Sequence, residues 1–325
     1  MRFSIIIPVY NVAAELPRMI EALKAQPCRD FEIVLVDDGS TDGSSGLVDS
    51  FADRAKVIHQ AHAGVVAARR KGFEASSGEW ILFADGDDRL RSVALEKVAA
   101  EIMRGDADIV QFGYDEIRPT LTYECPTDFV GAYSTNELQT RVKKTPLEIV
   151  KMCIWNKCYR REIVEAAFAD VGDVRISYGE DGLFALAAFL HAQKIGFLPD
   201  RLYEYIVRPG SATQRVNTKI VDEKEIFFDC MRKLMTDSGK FAAETIERCL
   251  DFHSYEAACS IFLMLRRQHA DKPTILQILN ELNRSRFFNR PNREWNTTKR
   301  RAMRYLLSHP RLYTLLGPAI DLGYT

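Results

Sequence analysis

No stretch of this 325-residue sequence approaches the ~20 consecutive apolar residues that a membrane span requires. The opening MRFSIIIPVYN has too short an apolar run before its proline for the core of a signal peptide. The seven cysteines (Cys28, Cys125, Cys153, Cys158, Cys230, Cys249 and Cys259) are odd in number and form no C-x-x-C pair. That pattern fits a reducing compartment better than a disulfide framework or a zinc site. Net charge is -1, which argues against a nucleic-acid partner. Also missing are a G-x-G-x-x-G turn after the first apolar run, a G-x-x-x-x-G-K-[ST] loop, a G-x-S-x-G elbow and an H-E-x-x-H pair. Their absence speaks against a dinucleotide dehydrogenase, a P-loop NTPase, an α/β-hydrolase and a zinc protease. The six histidines fall at no metal-ligand spacing. These absences lead to the expectation of a cytoplasmic protein.

What is present is an ordinary globular composition, 46% apolar and 27% charged, long enough for one large domain and a smaller one. Near-continuous apolar runs at Phe3–Ile7, Phe31–Val36, Lys56–His59 and Trp80–Ala84 read as strands buried on both faces of a parallel sheet. Helical spacing lies between them: Leu16, Ile20 and Leu23, then Leu47, Val48 and Phe51, then the alanine-rich Gly64–Ala75. The alternation predicts βαβ units. Further on, the pattern predicts a helix over Ser92–Met103, a strand over Asp108–Ile117 and a loop or short hairpin over 118–134. Helices are expected at Thr145–Met152 and Asp181–Ala192, and two strands at Lys194–Leu198 and Leu202–Val207. Beyond about residue 215 only helical signals remain, at Ile226–Met235, Ala242–Leu265 and Pro273–Leu282. The expected division is therefore a domain over 1–215, with halves at about 1–115 and 116–215, and a helical region over 216–325.

In an open parallel sheet, ligands bind beyond the carboxyl ends of the strands. The first run ends in Pro8-Val9-Tyr10-Asn11, the second in Asp37-Asp38-Gly39-Ser40-Thr41-Asp42, and the fourth in Asp85-Gly86-Asp87-Asp88. Asp85 and Asp87 are two residues apart, so in an extended turn they share a side. Paired carboxylates of this kind suit Mg²⁺ or Mn²⁺ with phosphates completing the shell. The plainer reading is a solvated acidic turn. Ser40, Thr41 or Asp42 equally suits a helix cap, Tyr10 a gap in the core, and Arg69 a surface charge. Glu180 and Asp181 suit the first turn of a helix, whose dipole favours carboxylates.

The three pieces SIIIPVYN, EIVLVDDGSTDGS and GVVAARRKGFEASSGEWILFADGDD occur in order over residues 3–88. Together they resemble the family 2 glycosyltransferases. The likeness extends more loosely through IWNKCYRREIV and YGEDGLFALAAFLHAQKIGFLPDRLYEYIVRPGSAT and ends near residue 215. It implies an α/β GT-A (Rossmann-like) fold, a mostly parallel sheet flanked by helices, followed by an α-helical carboxy-terminal region. It also implies inverting transfer of a sugar from a nucleotide-sugar donor, commonly a UDP-sugar, to an acceptor hydroxyl. The acceptor would be a saccharide, a lipid-linked sugar or a polymer of cell-surface polysaccharide or glycoconjugate synthesis. By the same resemblance Pro8, Val9 and Tyr10 line the nucleobase pocket, Asp38 bonds the base, and Arg69 lies near base or diphosphate. Asp85 and Gly86 sit at the ribose and metal turn, and Asp87 binds Mn²⁺ or Mg²⁺ with Asp85. Trp155, Asn156 and Glu180 fall on the sugar or acceptor side, Asp181 is the catalytic base, and Arg208 and Ser211 belong to a phosphate loop. This chain departs from the family's frequent pattern at His62 and Arg70, where asparagine is common, and at Gly86, where serine is common. These departures bear on how base and diphosphate are held.

Arg284–Arg311 carries nine Lys or Arg against one acidic residue, Glu294, with Trp295, Tyr305, Leu306 and Leu307 among them. Two readings stand: peripheral contact with an anionic inner membrane face, or a helical cap whose arginines face solvent or a homo-oligomer interface. The competing functional class is a catalytically silent sugar-nucleotide-binding or assembly subunit. A nucleotidyltransferase would need a glycine-rich basic loop after the first strand, which PVYN does not supply.

Overall fold

The computed structural model describes residues 2–141, 148, 149, 151–208, 217–268, 270–288, 301, 305, 308 and 309. Two compact units are present. The first comprises Met1–Val142, Pro146–Asp173 and Phe184–Arg208; the second comprises Lys143–Thr145, Val174–Leu183 and Pro209–Thr325. The short segment before Phe184 thus falls in the second unit, where a single cut near 215 would put it in the first.

The first unit is built on β1 (Phe3–Val9), β2 (Phe31–Asp37), β3 (Lys56–His59), β4 (Trp80–Phe83), β5 (Arg89–Leu90), β6 (Ile109–Ile117), β7 (Thr122–Cys125), β8 (Gly131–Ser134), β9 (Lys157–Arg160) and β10 (Lys194–Ile206). They form one sheet in the order β3-β2-β1-β4-β9-β6-β10-β5, with β7 also on β6 and β8 also on β10. The β3-β2-β1-β4 half is parallel, as is the β6–β10 pair. β9 runs antiparallel to both β4 and β6. The sheet is therefore mixed: parallel throughout β3-β2-β1-β4, and of both senses beyond β4.

Helices α1 (Leu16–Lys24), α2 (Ser44–Asp49), α3 (Val65–Ala75), α4 (Ala94–Arg104), α5 (Thr135–Arg141) and α6 (Arg161–Val171) accompany the strands. α7 (Glu180–His191) begins in the second unit's segment. Both sheet faces are buried, which explains the unbroken apolar runs. Ile5, Ile7 and Val9 of β1 pack with Leu16, Met19, Ile20 and Leu23 of α1 and Leu95 and Val98 of α4. On the other face Phe83 meets Phe168 of α6 and Phe184 of α7, with ring centroids 6.2 and 5.6 Å apart.

α3 packs hard on β1 and β2 because Gly72 has no side chain. A Cβ there would lie 2.4 Å from Cγ2 of Ile6 and 3.2 Å from Cγ2 of Val36. Overpacking of this kind costs about 1–3 kcal/mol. Gly72→Ala is expected to lower the urea midpoint accordingly at an unchanged m-value, and an unchanged midpoint would mean that α3 adapts freely.

Several expectations need correction. The first strand does not stop at Pro8 but runs to Val9. The β4 ladder has already ended at Ile6, so the missing proline N–H removes no bond on that side. Residues 118–134 hold β7 and β8, but the two do not pair with each other: β7 joins β6 and β8 joins β10. The two strands expected over 194–207 are one, β10, bent by register shifts between Leu198 and Tyr203 where Pro199 interrupts it. Of the helix expected at Thr145–Met152, 145–147 and 150 lie outside the described residues; Glu148 and Ile149 are helical, and Lys151 and Met152 are not. Gly43, the N-cap residue of α2, makes no side-chain cap; Asp42 accepts from the Ser44 N–H in the first turn of α2 at 3.0 Å, and Asp42 and Ser40 also bind β1's extension.

The second unit holds α8 (Ile220–Asp237), α9 (Ala243–Arg267) and α10 (Lys272–Arg284). Phe228 of α8 meets Phe287 with centroids 5.0 Å apart, and Arg232 pairs with Glu247 of α9 at 2.7 Å. Asp271 caps α10 by accepting from the Thr274 N–H at 2.9 Å. Most of 284–311 lies outside the described residues. Among the described residues, no helix is long and apolar enough to cross a membrane.

Candidate functional site

The order β3-β2-β1-β4 has a consequence for ligand binding. The chain builds outward from β1 to β2 and β3, then returns to the other side of β1 as β4. The crevice between the carboxyl ends of β1 and β4 is thus a topological switch point, where open α/β sheets take their ligands. The strands themselves part there, since their ladder ends at Ile6 and Phe83.

Three strand extensions meet at this edge. Asp38 donates its N–H to the Val9 carbonyl at 2.9 Å. Asn11, held at φ +53°, accepts from the Thr41 N–H at 2.8 Å and gives its own N–H to Ser40 Oγ at 3.1 Å. Val12 and Ala13 donate to Ser44 Oγ and Asp42 at 2.9 and 3.0 Å. On the β4 side, Gly86 lies against β1's extension: a Cβ there would sit 3.2 Å from Cγ2 of Val12 and 3.5 Å from the Pro8 carbonyl oxygen. Glycine thus allows the acidic turn to approach Pro8 and Val12 more closely than the family's serine would.

Tyr10 is 45% exposed and stacks on His62, with centroids 4.2 Å apart and planes 21° from parallel. It does not fill the core. Asp38 is buried, and three donors converge on its carboxylate: Gln60 Nε2 at 2.7 Å and the N–H groups of Ala63 and Gly64 at 2.8 and 2.9 Å; His62 Nδ1 bonds the Asp38 backbone carbonyl at 3.2 Å and lies 2.9 Å from Oδ2. A carboxylate offers about four acceptor positions, so Asp38 organises the 60–64 loop with three of them, and the His62 ring stands against the rest. Gly39 belongs to the same device, since at φ +75° a Cβ would come 2.9 Å from the His62 nitrogen.

Arg69 is not a surface charge. It is buried in α3 and donates from Nη2 to Asp85 Oδ1 at 2.8 Å. Arg70, its neighbour, leaves the edge altogether and donates to the carbonyls of Phe168 and Gly172 at the end of α6, at 3.1 and 2.6 Å. The second departure from the family pattern therefore braces a helix terminus.

The acidic turn is the most electrostatically loaded feature. Asp87 accepts from Arg208 Nε at 2.7 Å, and Arg208 in turn lies 3.7 Å from Glu15. Burial, then the charge of Asp85, pushes the Asp87 carboxyl above the usual carboxylate range, with Arg208 opposing. Asp88 is fully buried and accepts from the Ile206 N–H and the Tyr203 hydroxyl at 2.8 and 2.9 Å; burial and the two neighbouring aspartates push it well up. Tyr203 also receives the Asp85 N–H at 2.9 Å. Tyr203 and Asp88 fix the turn's shape, and sequence reasoning assigned neither; a tyrosine in an apolar strand gives no signal of a contact 115 residues away.

The turn fits a divalent ion. Asp85 and Asp87 are hard oxygen donors that repel each other and lean on separate arginines. Among the described residues, no group of three or more His, Cys, Asp or Glu is arranged as a protein cage. Two carboxylates with the shell completed by phosphate is the usual arrangement for Mg²⁺ and Mn²⁺.

The remaining expected residues lie on other elements. Trp155 is buried and stacks on Tyr203 and Tyr205, with centroids 4.7 and 5.4 Å apart. Asn156 is buried, donates to the Phe112 carbonyl at 3.3 Å and accepts from Lys157 at 2.5 Å, so it braces the core. Glu180 and Asp181 open α7 and belong to the second unit. Ser211 lies outside the described residues.

A sheet with this switch-point crevice and flanking helices is the GT-A architecture, and the fold is shared with TarS 1-349 of S. aureus, solved in complex with UDP-GlcNAc. That likeness has a TM-score of 0.64 at 19% identity, over 98% of this chain and 89% of that one. The chain belongs to glycosyl transferase family 2, whose model matches residues 4–168. Among curated relatives, an uncharacterized glycosyltransferase of Bacillus subtilis (strain 168), EpsJ, is 34% identical over 225 residues, 68% of this chain and 65% of its own length. The cholesterol galactosyltransferase of Borreliella burgdorferi is 28% identical over 252 residues, 74% of this chain and 69% of its own. This chain thus spans just under two thirds of EpsJ.

Proposed function

We propose that this protein is a metal-dependent, inverting glycosyltransferase that moves a sugar from a UDP-sugar to an acceptor hydroxyl in cell-surface polysaccharide or glycoconjugate synthesis. The observation that carries this reading is the meeting of Tyr10, Arg69 and the Asp85–Asp88 turn at one switch-point edge. Family membership and the TarS complex with UDP-GlcNAc support the donor class.

In this reading the uracil stacks on Tyr10. Asp38 keeps the loop behind it in shape and reaches the base edge when Gln60 or His62 gives way. A Mn²⁺ or Mg²⁺ held by Asp85 and Asp87 supplies positive charge to the departing diphosphate. Arg69 holds Asp85 in place from beneath, and Arg208, released from Asp87, offers its guanidinium to the phosphates. Asp181 takes the proton from the acceptor hydroxyl as that oxygen attacks the anomeric carbon. The nucleoside diphosphate leaves from the opposite face, which inverts the configuration.

A screen of nucleotide sugars with Mn²⁺ present tests the reading, with nucleoside diphosphate release as the readout. Release from at least one donor, lost on chelation, is expected. Donor binding without release in any combination of donor and acceptor would favour the silent-subunit alternative. Tyr10→Ala is expected to raise the Kd for UDP about tenfold, in line with ~1–3 kcal/mol for a base on an aromatic ring. Its kcat should change little and its melting temperature should hold, because the ring is half exposed. Unchanged UDP affinity would remove Tyr10 from the site.

A further inference from the structure

Within the second unit, the turn that leads into α7 is docked on the first turns of α8. Ser177 donates its N–H and its hydroxyl to the Glu223 carboxylate at 3.0 and 3.3 Å. Gly179 sits at φ +102°, and a Cβ there would lie 2.9 Å from Cδ2 of Phe227. Its backbone therefore approaches that ring closely, in a conformation suited to glycine. Between these two anchors is Lys224. Its side chain is buried, its ammonium donates to the Tyr178 carbonyl at 3.5 Å, and it lies 5.2 and 5.1 Å from the ring centroids of Tyr178 and Phe227. Three residues of one helix face thus hold Ser177, Tyr178 and Gly179, the residues immediately before Glu180 and Asp181.

Lysine is among the residues least often buried unless its charge has a use. The charged and titratable groups facing it are Glu180 and Tyr178 from the turn, Glu223 from its own helix and His253 from α9. Burial pushes Lys224 down to about 8, with Glu180 and Glu223 opposing. Burial, then Lys224, pushes His253 down to about 4. Near pH 7 the lysine therefore keeps its proton, the histidine is neutral, and the net field on the turn from these two is that of one cation.

We propose that Lys224 is a positioning residue for the Glu180–Asp181 pair: its buried ammonium anchors the turn that carries the pair and favours the pair's ionised form. This inference rests on the reading of Asp181 as general base, and it gives the helical second unit a task, which is to set that base. A neutral side chain of similar length would fill the space without supplying the charge. The effect has a definite sign: loss of a neighbouring cation raises a carboxylate's pKa, so the base would take up its proton at higher pH.

The test is the pH profile of kcat for the wild type, Lys224→Met and Lys224→Arg, with melting temperature and UDP affinity measured alongside. Lys224→Met is expected to fold, to bind UDP within about twofold, and to lose about tenfold in kcat at pH 7. The acidic limb of its profile should move up by about one pH unit, the tenfold equivalent. Lys224→Arg should recover part of the rate and most of the limb position. Should Lys224→Met fail to fold, Lys224→Gln carries the same measurement. A folded neutral variant with unchanged kcat and unchanged acidic limb overturns the proposal. Asp181→Asn separates the two failures: undiminished transfer there sinks the base assignment itself, whereas loss of transfer there beside an unaffected Lys224→Met sinks the positioning role alone.

Discussion

Asp87→Ala is expected to abolish Mn²⁺ binding in the free protein and to lower metal-dependent turnover by at least about a hundredfold, the scale of losing several kcal/mol of charge stabilisation on the leaving group. The same variant should be as stable as the wild type, or slightly more so. The Asp87 carboxyl is held above its ordinary range by burial and by Asp85, so its charge is an unfavourable part of the folded state. Its pairing with Arg208 involves partly exposed groups, and such pairs contribute roughly 0–1 kcal/mol. Loss of function without loss of stability is the signature of a site built against stability. Electron paramagnetic resonance of free Mn²⁺ reads the binding directly, and thermal melting reads the other half. A variant that binds Mn²⁺ normally would move the ion away from this turn. One that unfolds would make Asp87 a structural residue.

The second large effect is expected at Asp181. Asp181→Asn keeps the shape and removes the basic oxygen. Transfer should fall by about 10²- to 10⁴-fold, the usual contribution of a positioned general base, with donor affinity unchanged. In kinetic terms kcat and kcat/KM for the acceptor drop together, because the interaction is made only as the acceptor loses its proton. Hydrolysis of the donor by water, where measurable, should fall in parallel. Full transfer activity in this variant would refute the assignment.

The parallel half of the sheet was legible in the sequence because burial on both faces leaves unbroken apolar runs, as at FEIVLV and WILF. The ends of β2 and β4 were legible to within a residue because carboxylates and glycines follow those runs abruptly, whereas the first run was cut two residues short at Pro8. β9 was not legible. Its KCYR reads as surface, yet Lys157 is fully buried, its ammonium donating to the Cys153 carbonyl at 2.6 Å and to Asn156. The packing of one polar strand between β4 and β6 is a tertiary fact that no local pattern announces. The single strand β10 looked like two because Pro199 and Asp200 interrupt its pattern at a bulge.

In the candidate site, Tyr10, Asp38, Asp85 and Asp87 could be picked out by residue type and position, and Arg69 only through the family resemblance. Their engagements could not. Asp38 faces the backbone of Ala63 and Gly64, Arg69 is buried against Asp85, and Asp87 holds Arg208, a residue 121 positions away. Asn156 was expected toward the sugar by analogy of motif and instead braces the core beside Phe112. Sequence spacing gives the direction of a side chain along a strand. It does not give the long-range partner that decides whether the side chain is available to a ligand.

The most direct test of the central claim is a crystal structure of the chain with UDP and Mn²⁺. The account predicts uracil against Tyr10, the ion on Asp85 and Asp87 with diphosphate oxygens completing its shell, and Arg208 turned from Asp87 toward the phosphates. Nucleotide bound away from the β1–β4 crevice, or an ion that leaves the Asp85–Asp88 turn untouched, would contradict it.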